Sequence, residues 1–182
     1  MKGAILVRCC LGLMFVVGLN GCSDSPPVKT DALVLGDPFP ALVIRDFDSN
    51  DVDLQTYKGK LIVLNLWATW CEPCRREMPA LQALSDALDP ERFAVIGVSV
   101  DEDEHVAREY LIDKDIQFPN FWDAEAEQAT SMLGAQLFPY TFLISPEGEF
   151  IQRVPGAREW HRQEVVDLLN KLARGDVLPP MK

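Results

Sequence analysis

Two stretches of the chain are apolar almost without interruption, residues 61–67 (LIVLNLW) and 93–100 (FAVIGVSV). Such runs predict strands buried on both faces. Between them Pro73 suits the first turn of a helix, where its missing N–H does no harm. Met78, Leu81, Leu84 and Leu88 continue that helix at helical spacing, with Pro79 inside it as an expected kink and Asp89-Pro90 at its end. Ahead of the first run, residues 42–47 and 52–54 flank the turn-forming cluster Asp48-Ser49-Asn50 and predict a hairpin, and Lys58-Gly59-Lys60 is a break. After the second run, residues 101–115 predict an amphipathic helix with Val106, Tyr110 and Leu111 apolar, and residues 124–133 a shorter helix ended by Gly134. Residues 140–145 and 150–154 predict two antiparallel strands joined by Pro146-Glu147-Gly148. Val165, Leu168, Leu169 and Leu172 place an apolar stripe on a final helix. The order βαβα followed by ββα is an α/β layout with a mixed sheet.

Length and composition agree with this. The chain has 182 residues, room for one domain and a short appendage; 48% apolar and 25% charged residues are globular values. Lys and Arg number 17 against 28 Asp and Glu, a formal charge of -11. So acidic a chain is a poor grip for a phosphate backbone, and no nucleic-acid partner is expected.

Residues 1–21 read as an address rather than as fold. Lys2 and Arg8 give a positive start, and residues 9–19 form an uncharged apolar run. That run has the length of a secretory h-region and falls short of the ~18 residues a membrane-spanning helix needs. Leu19-Asn20-Gly21-Cys22 resembles the bacterial lipobox, in which cleavage precedes a cysteine that is then lipidated. The expectation is a lipoprotein signal peptide over 1–21 and a lipidated Cys22. Residues 22–34 then form a Pro-containing polar tether, residues 35–174 the folded domain and residues 175–182 a loose tail. A plain signal anchor with Cys22 incidental is the alternative.

Removal of Cys9 and Cys10 and lipidation of Cys22 leave Cys71 and Cys74 in the folded domain. An exported protein ordinarily uses a cysteine pair as a staple. This pair closes so short a loop that the chain-entropy gain is only about 2 kcal/mol, which points to chemistry instead. Trp70-Cys71-Glu72-Pro73-Cys74 stands where a buried strand turns into a helix. There the unpaired N–H groups and the helix dipole favour an anion, so the Cys71 thiolate is stabilised below the free value of about 8.5. Cys71 is the expected attacking thiol and Cys74, one turn on, the resolving one. A zinc site lacks ligands, since the domain offers only His105 and His161 besides this pair.

From Gly59-Lys60-Leu61 through Trp70-Cys71-Glu72-Pro73-Cys74-Arg75-Arg76-Glu77-Met78-Pro79 the chain resembles the TlpA/ResA-like, membrane-tethered thiol–disulfide oxidoreductases of the thioredoxin-like family. The likeness covers most of residues 35–173. It implies a thioredoxin fold, a mixed central sheet flanked by helices, with an N-terminal β-hairpin and a central helical insert. It implies that Pro139, in Phe138-Pro139-Tyr140, is a cis-proline held against the cysteine pair. It also implies a substrate-binding surface of Trp70, Glu72, Pro73, Phe138 and Tyr140. Tyr140 departs from the threonine common after that proline. Glu102 stands where the family often places an acid near the cysteines; partly buried, it would exchange protons with Cys74. The competing reading makes it one exposed acid of Asp101-Glu102-Asp103-Glu104 at a helix start. Asn65 replaces an ionisable Asp of cytoplasmic thioredoxins and reads as a core amide, unable to act as a base.

The expected activity is thiol–disulfide exchange at the periplasmic face of a bacterial cell envelope, inner or outer membrane undetermined. The expected direction is reduction of disulfides in exported partner proteins, in cytochrome c maturation or a similar task, with electrons from a membrane thiol-reductant donor. No cofactor is implied. An oxidase or isomerase, or a copper-handling module, remains the alternative; no M-x-x-M or Met/His cluster supports copper. A peroxidase fits less well, since Thr69 lies two rather than three residues before Cys71 and misses the pattern T-x-x-C.

Overall fold

A computed structural model describes residues 33–123 and 126–176. The expected signal peptide, Cys22, nearly all of the expected tether and most of the expected tail lie outside the described residues. Among the described residues no helix is long and apolar enough to cross a membrane.

The two apolar runs are the centre of the fold. β3 (Leu61–Trp67) and β4 (Phe93–Ser99) are buried at every position and pair in parallel, Leu61 opposite Phe93 through Trp67 opposite Ser99. On the far side of β3, β6 (Tyr140–Ile144) runs antiparallel and is followed by antiparallel β7 (Phe150–Pro155). The N-terminal segments β1 (Val43–Arg45) and β2 (Asp51–Asp53) pair antiparallel across the 48–50 turn. Arg108 braces that turn by donating to the carbonyl of Phe47. A short strand, β5 (Asn120–Trp122), joins this hairpin to β4. Among the described residues the sheet has seven strands in the order β2-β1-β5-β4-β3-β6-β7, with α1 (Glu72–Ala87), α2 (Glu104–Asp113) and α3 (Gln163–Leu172) against it. This is the thioredoxin fold.

The insert between β4 and β6 differs from the expectation of helix alone, because it contains β5, parallel to β4. The reason is a close approach at Gly97. The Asn120 Oδ1 atom accepts from Trp67 Nε1 at 2.9 Å, and a Cβ on Gly97 would meet that oxygen at 1.9 Å. Only glycine lets Asn120 reach across β4 to the buried indole. The expected helix at 124–133 is a single wide turn, Gln128–Met132, in which the Leu133 N–H donates to the Gln128 carbonyl. Asp123 caps its start by accepting from the N–H groups of Gln128 and Ala129, and Gly134 ends it with φ +66°.

α2 begins three residues later than expected, at Glu104, with Asp103 accepting from the His105 N–H as its N-cap. Asp101 is not helical. Its side chain turns inward and is buried.

α1 runs unbroken through Pro79. Proline there cannot donate to the carbonyl of Arg75, four residues back. The Tyr110 hydroxyl, from α2, donates to that carbonyl instead, at 3.2 Å. The Tyr110 ring also lies 5.4 Å from that of Trp67, so one side chain ties α2 both to the helix and to the sheet.

Candidate active site

β3 ends at Trp67, and the backbone turns before α1 begins. The Cys71 N–H donates to the Ala68 carbonyl, closing a four-residue turn with Thr69 and Trp70 at its corners. Cys71 is then the N-cap of α1, and its sulfur accepts from the Cys74 N–H at 3.2 Å. This is the environment that stabilises a sulfur anion, an acceptor facing free N–H groups at a helix start. Cys71 and Cys74 are joined by a disulfide. Cys71 retains 6% exposure and Cys74 none, so Cys71 is the less enclosed of the two.

The rim is aromatic. Trp70 is 61% exposed and meets the Phe138 ring edge-on at 5.8 Å. The Phe138–Pro139 bond is cis, and the Pro139 carbonyl accepts from the Gly156 N–H, which fixes the loop to the end of β7. Trp70, Val100, Glu102, Ala126 and Phe138 line an open cleft of roughly 760 Å³ beside the turn. Glu72 is exposed and pairs with Arg76 one helical turn on; Pro73 is half-buried. His105 and His161 are exposed.

Tyr140 does not join this rim. Thr141 shares a face of the sheet with Asn65, its register partner, so Tyr140 points to the opposite face. Its ring packs on buried Phe142 at 5.1 Å. The expectation that Tyr140 flanks the substrate surface is corrected by this alternation.

The expected acid is displaced as well. Glu102 is exposed at the edge of the cleft, not partly buried. The carboxylate buried on the cysteine-bearing helix is Glu77, 3% exposed and one turn after Cys74 on the inward face of α1. Its Oε1 accepts from Asn65 Nδ2 at 2.7 Å, and its Oε2 accepts from the Arg158 N–H at 3.0 Å and Trp160 Nε1 at 3.1 Å. Burial pushes the Glu77 carboxyl above the usual carboxylate range, against the pull of these three donors and of the Arg158 charge. Asn65 also donates to Thr141 Oγ1 at 3.0 Å, while its own Oδ1 has no partner among the described residues. The sequence carried a signal for Glu77: it falls three residues after Cys74 and four before Leu81, on the buried stripe of the helix.

A helix-capping cysteine that keeps some exposure, a sealed partner one turn on and a buried carboxyl a turn further along the same helix define a thiol–disulfide oxidoreductase on a thioredoxin fold. Comparison with known proteins agrees. Residues 35–153 match the AhpC/TSA family, and the chain belongs to it. It is 28% identical over 144 residues to the thiol-disulfide oxidoreductase ResA of Bacillus thuringiensis, covering 79% of this chain and 82% of that one. To the ResA of Oceanobacillus iheyensis it is 32% identical over 167 residues, 90% of this chain and 84% of the relative. In fold it is similar to the thioredoxin domain of a thiol-disulfide oxidoreductase from Bacteroides vulgatus. The TM-score is 0.67 at 22% identity, over 78% of this chain and 99% of that domain.

Proposed function

We propose that this protein is a lipid-anchored reductase of disulfides in exported proteins, working at the periplasmic face of a bacterial envelope, with cytochrome c maturation or a similar cysteine-protecting task as its setting. The observation that carries the exchange chemistry is the pairing of Cys71 at the helix start with a sealed Cys74 and a buried Glu77; the reducing direction is supported by the likeness to the ResA relatives. The Cys71 thiolate attacks one sulfur of the partner's disulfide, that bond breaks, and the released thiolate takes a proton from solvent. Cys74 gives its proton to the Glu77 carboxylate and attacks the Cys71 sulfur, releasing the partner's second sulfur as a thiolate. Two electrons pass from the dithiol to the partner, and a membrane thiol donor restores the dithiol. Trp70, Pro73, Phe138 and Pro139 are the surface on which the partner's segment lies, with Glu102 and Glu72 at its edge. An extended segment would pair with the backbone of the Phe138 loop by strand addition.

The anchor is Cys22, supported by Leu19-Asn20-Gly21-Cys22 after a short apolar run. Two measurements test the reading. The reduction potential should lie nearer the about −270 mV of a reductant than the about −120 mV of a strong oxidant. Cys22→Ala should move the protein from the membrane pellet to the soluble fraction. A potential at the oxidising end makes it an oxidase, and full retention of the variant in the pellet makes the anchor a helix.

A further inference from the structure

We infer that Asp101 is a positioning residue for the attacking thiol: with Thr69 it locks the turn that presents Trp70 and Cys71. Asp101 is 3% exposed, just beyond the end of β4, and the exchange chemistry makes no direct use of it. Its hydrogen bonds converge on this turn and on the strand ends behind it. Its two oxygens accept from the Thr69 N–H at 3.1 and 3.0 Å, and Oδ1 accepts from the Thr69 hydroxyl at 2.7 Å. Oδ2 accepts from the Ser99 hydroxyl at 2.7 Å, and the Asp101 carbonyl accepts from Trp122 Nε1 at 2.7 Å.

Thr69 is the first corner of the turn closed by Cys71 N–H and Ala68 carbonyl. The central peptide of that turn is the one between Thr69 and Trp70. Its carbonyl accepts from the Arg75 guanidinium at 2.9 Å. A turn of this kind changes type by rotating its central peptide, and that rotation would re-aim both the Trp70 side chain and the N-cap. Here the peptide is held by Arg75 on its carbonyl, and the N–H and hydroxyl before it are held by Asp101. Hydrogen bonds to an ionised acceptor are the strong class, and a carboxylate takes several at once, which a hydroxyl in its place would not.

The lock bears on redox chemistry because the two redox states depend on it unequally. In the oxidised protein the disulfide itself ties Cys71 to Cys74 on α1. Reduction removes that tie, and the placing of the Cys71 sulfur over the free N–H groups of the helix then rests on the turn. A loosened turn weakens the thiolate's stabilisation, so the Cys71 pKa rises and the reduced form loses stability relative to the oxidised one. The reduction potential becomes more negative.

Thr69→Val tests this on the full chain, since it keeps the shape of the side chain and the charge of Asp101 and removes only the hydroxyl donor. Thr69→Ser restores the donor. The rate of iodoacetamide labelling of the reduced protein against pH gives the thiolate titration, and equilibration with glutathione gives the potential. The expected result for Thr69→Val is a thiolate titration about half a unit higher, hence labelling slowed by up to about threefold at a pH below that titration, with a more negative potential. Thr69→Ser should return both to the parent values. Asp101→Ala should lower the denaturation midpoint of the reduced form more than that of the oxidised form; if it does not fold, the Thr69 pair decides alone. Equal loss of stability in both redox forms, with titration and potential unmoved in Thr69→Val, would make the contact merely structural and overturn the inference. Loss of exchange activity in the parent itself would count against the oxidoreductase reading, not against the lock.

Discussion

Asn65 donates to Glu77 through its amide nitrogen at 2.7 Å and leaves its amide oxygen without a partner among the described residues. The pair therefore suits an ionised Glu77, although burial raises that carboxyl above its ordinary value. The folded protein holds the Glu77 proton to higher pH than the unfolded chain does. Stability from this group is thus full below the usual carboxylate range and declines as pH rises through the raised value. Glu77→Gln abolishes that decline. Urea denaturation of the oxidised protein at pH 5 and pH 8 should show the variant gaining on the parent at the higher pH. Exchange with a disulfide peptide should slow, because Cys74 has lost its proton acceptor. An unchanged stability difference between the two pH values would place the proton elsewhere.

Tyr110→Phe should cost about 0.5–1.5 kcal/mol, the ordinary worth of one hydrogen bond. In a Pro79→Ala background the backbone gains an N–H at that position, which can satisfy the Arg75 carbonyl, so the same change should cost less. A double-mutant cycle on denaturation midpoints measures the difference; additive effects would show that the hydroxyl does not serve that carbonyl.

Gly97→Ala should destabilise the protein by about 1–3 kcal/mol, because the new methyl group must displace the Asn120 amide from Trp67. Chemical denaturation gives the cost. A shifted Trp67 ring resonance in NMR spectra identifies the cause, and a neutral substitution would mean that β5 adapts freely.

Trp70→Ala removes the exposed wall of the cleft. For a peptide disulfide, kcat/KM should fall about thirtyfold, the loss of an aromatic anchor worth about 2 kcal/mol. A small, uncharged disulfide should be affected far less. Equal losses on both would assign Trp70 to the chemistry instead of to partner contact.

Much of this was legible in the residues themselves. β3 and β4 announced themselves because strands covered on both faces carry no polar alternation. Trp70-Cys71-Glu72-Pro73-Cys74 stood between a buried strand and a helix, and the structure has Cys71 there as the N-cap of α1, joined to Cys74. β5 was not legible: three residues, Asn120-Phe121-Trp122, become a strand only through pairing with β4 and through the space left at Gly97. Two buried carboxylates, Glu77 and Asp101, were hidden by their neighbours. Glu77 follows Arg75 and Arg76 and looks solvated until it is placed on the inward stripe of α1. Asp101 opens the acidic run 101–104, where three of the four side chains do face outward or part-way outward. Tyr140 failed as a rim residue because strand alternation, not closeness in sequence to Pro139, decides which face it shares.

The most direct test of the site is competitive labelling of the reduced protein. Iodoacetamide is added below one equivalent at neutral pH, and the modified peptide is identified by mass. Cys71, at the helix start and the more accessible of the two, should carry nearly all of the label, and Cys74, sealed behind it, almost none. Label on Cys74 in preference to Cys71 would contradict the assignment of the attacking thiol.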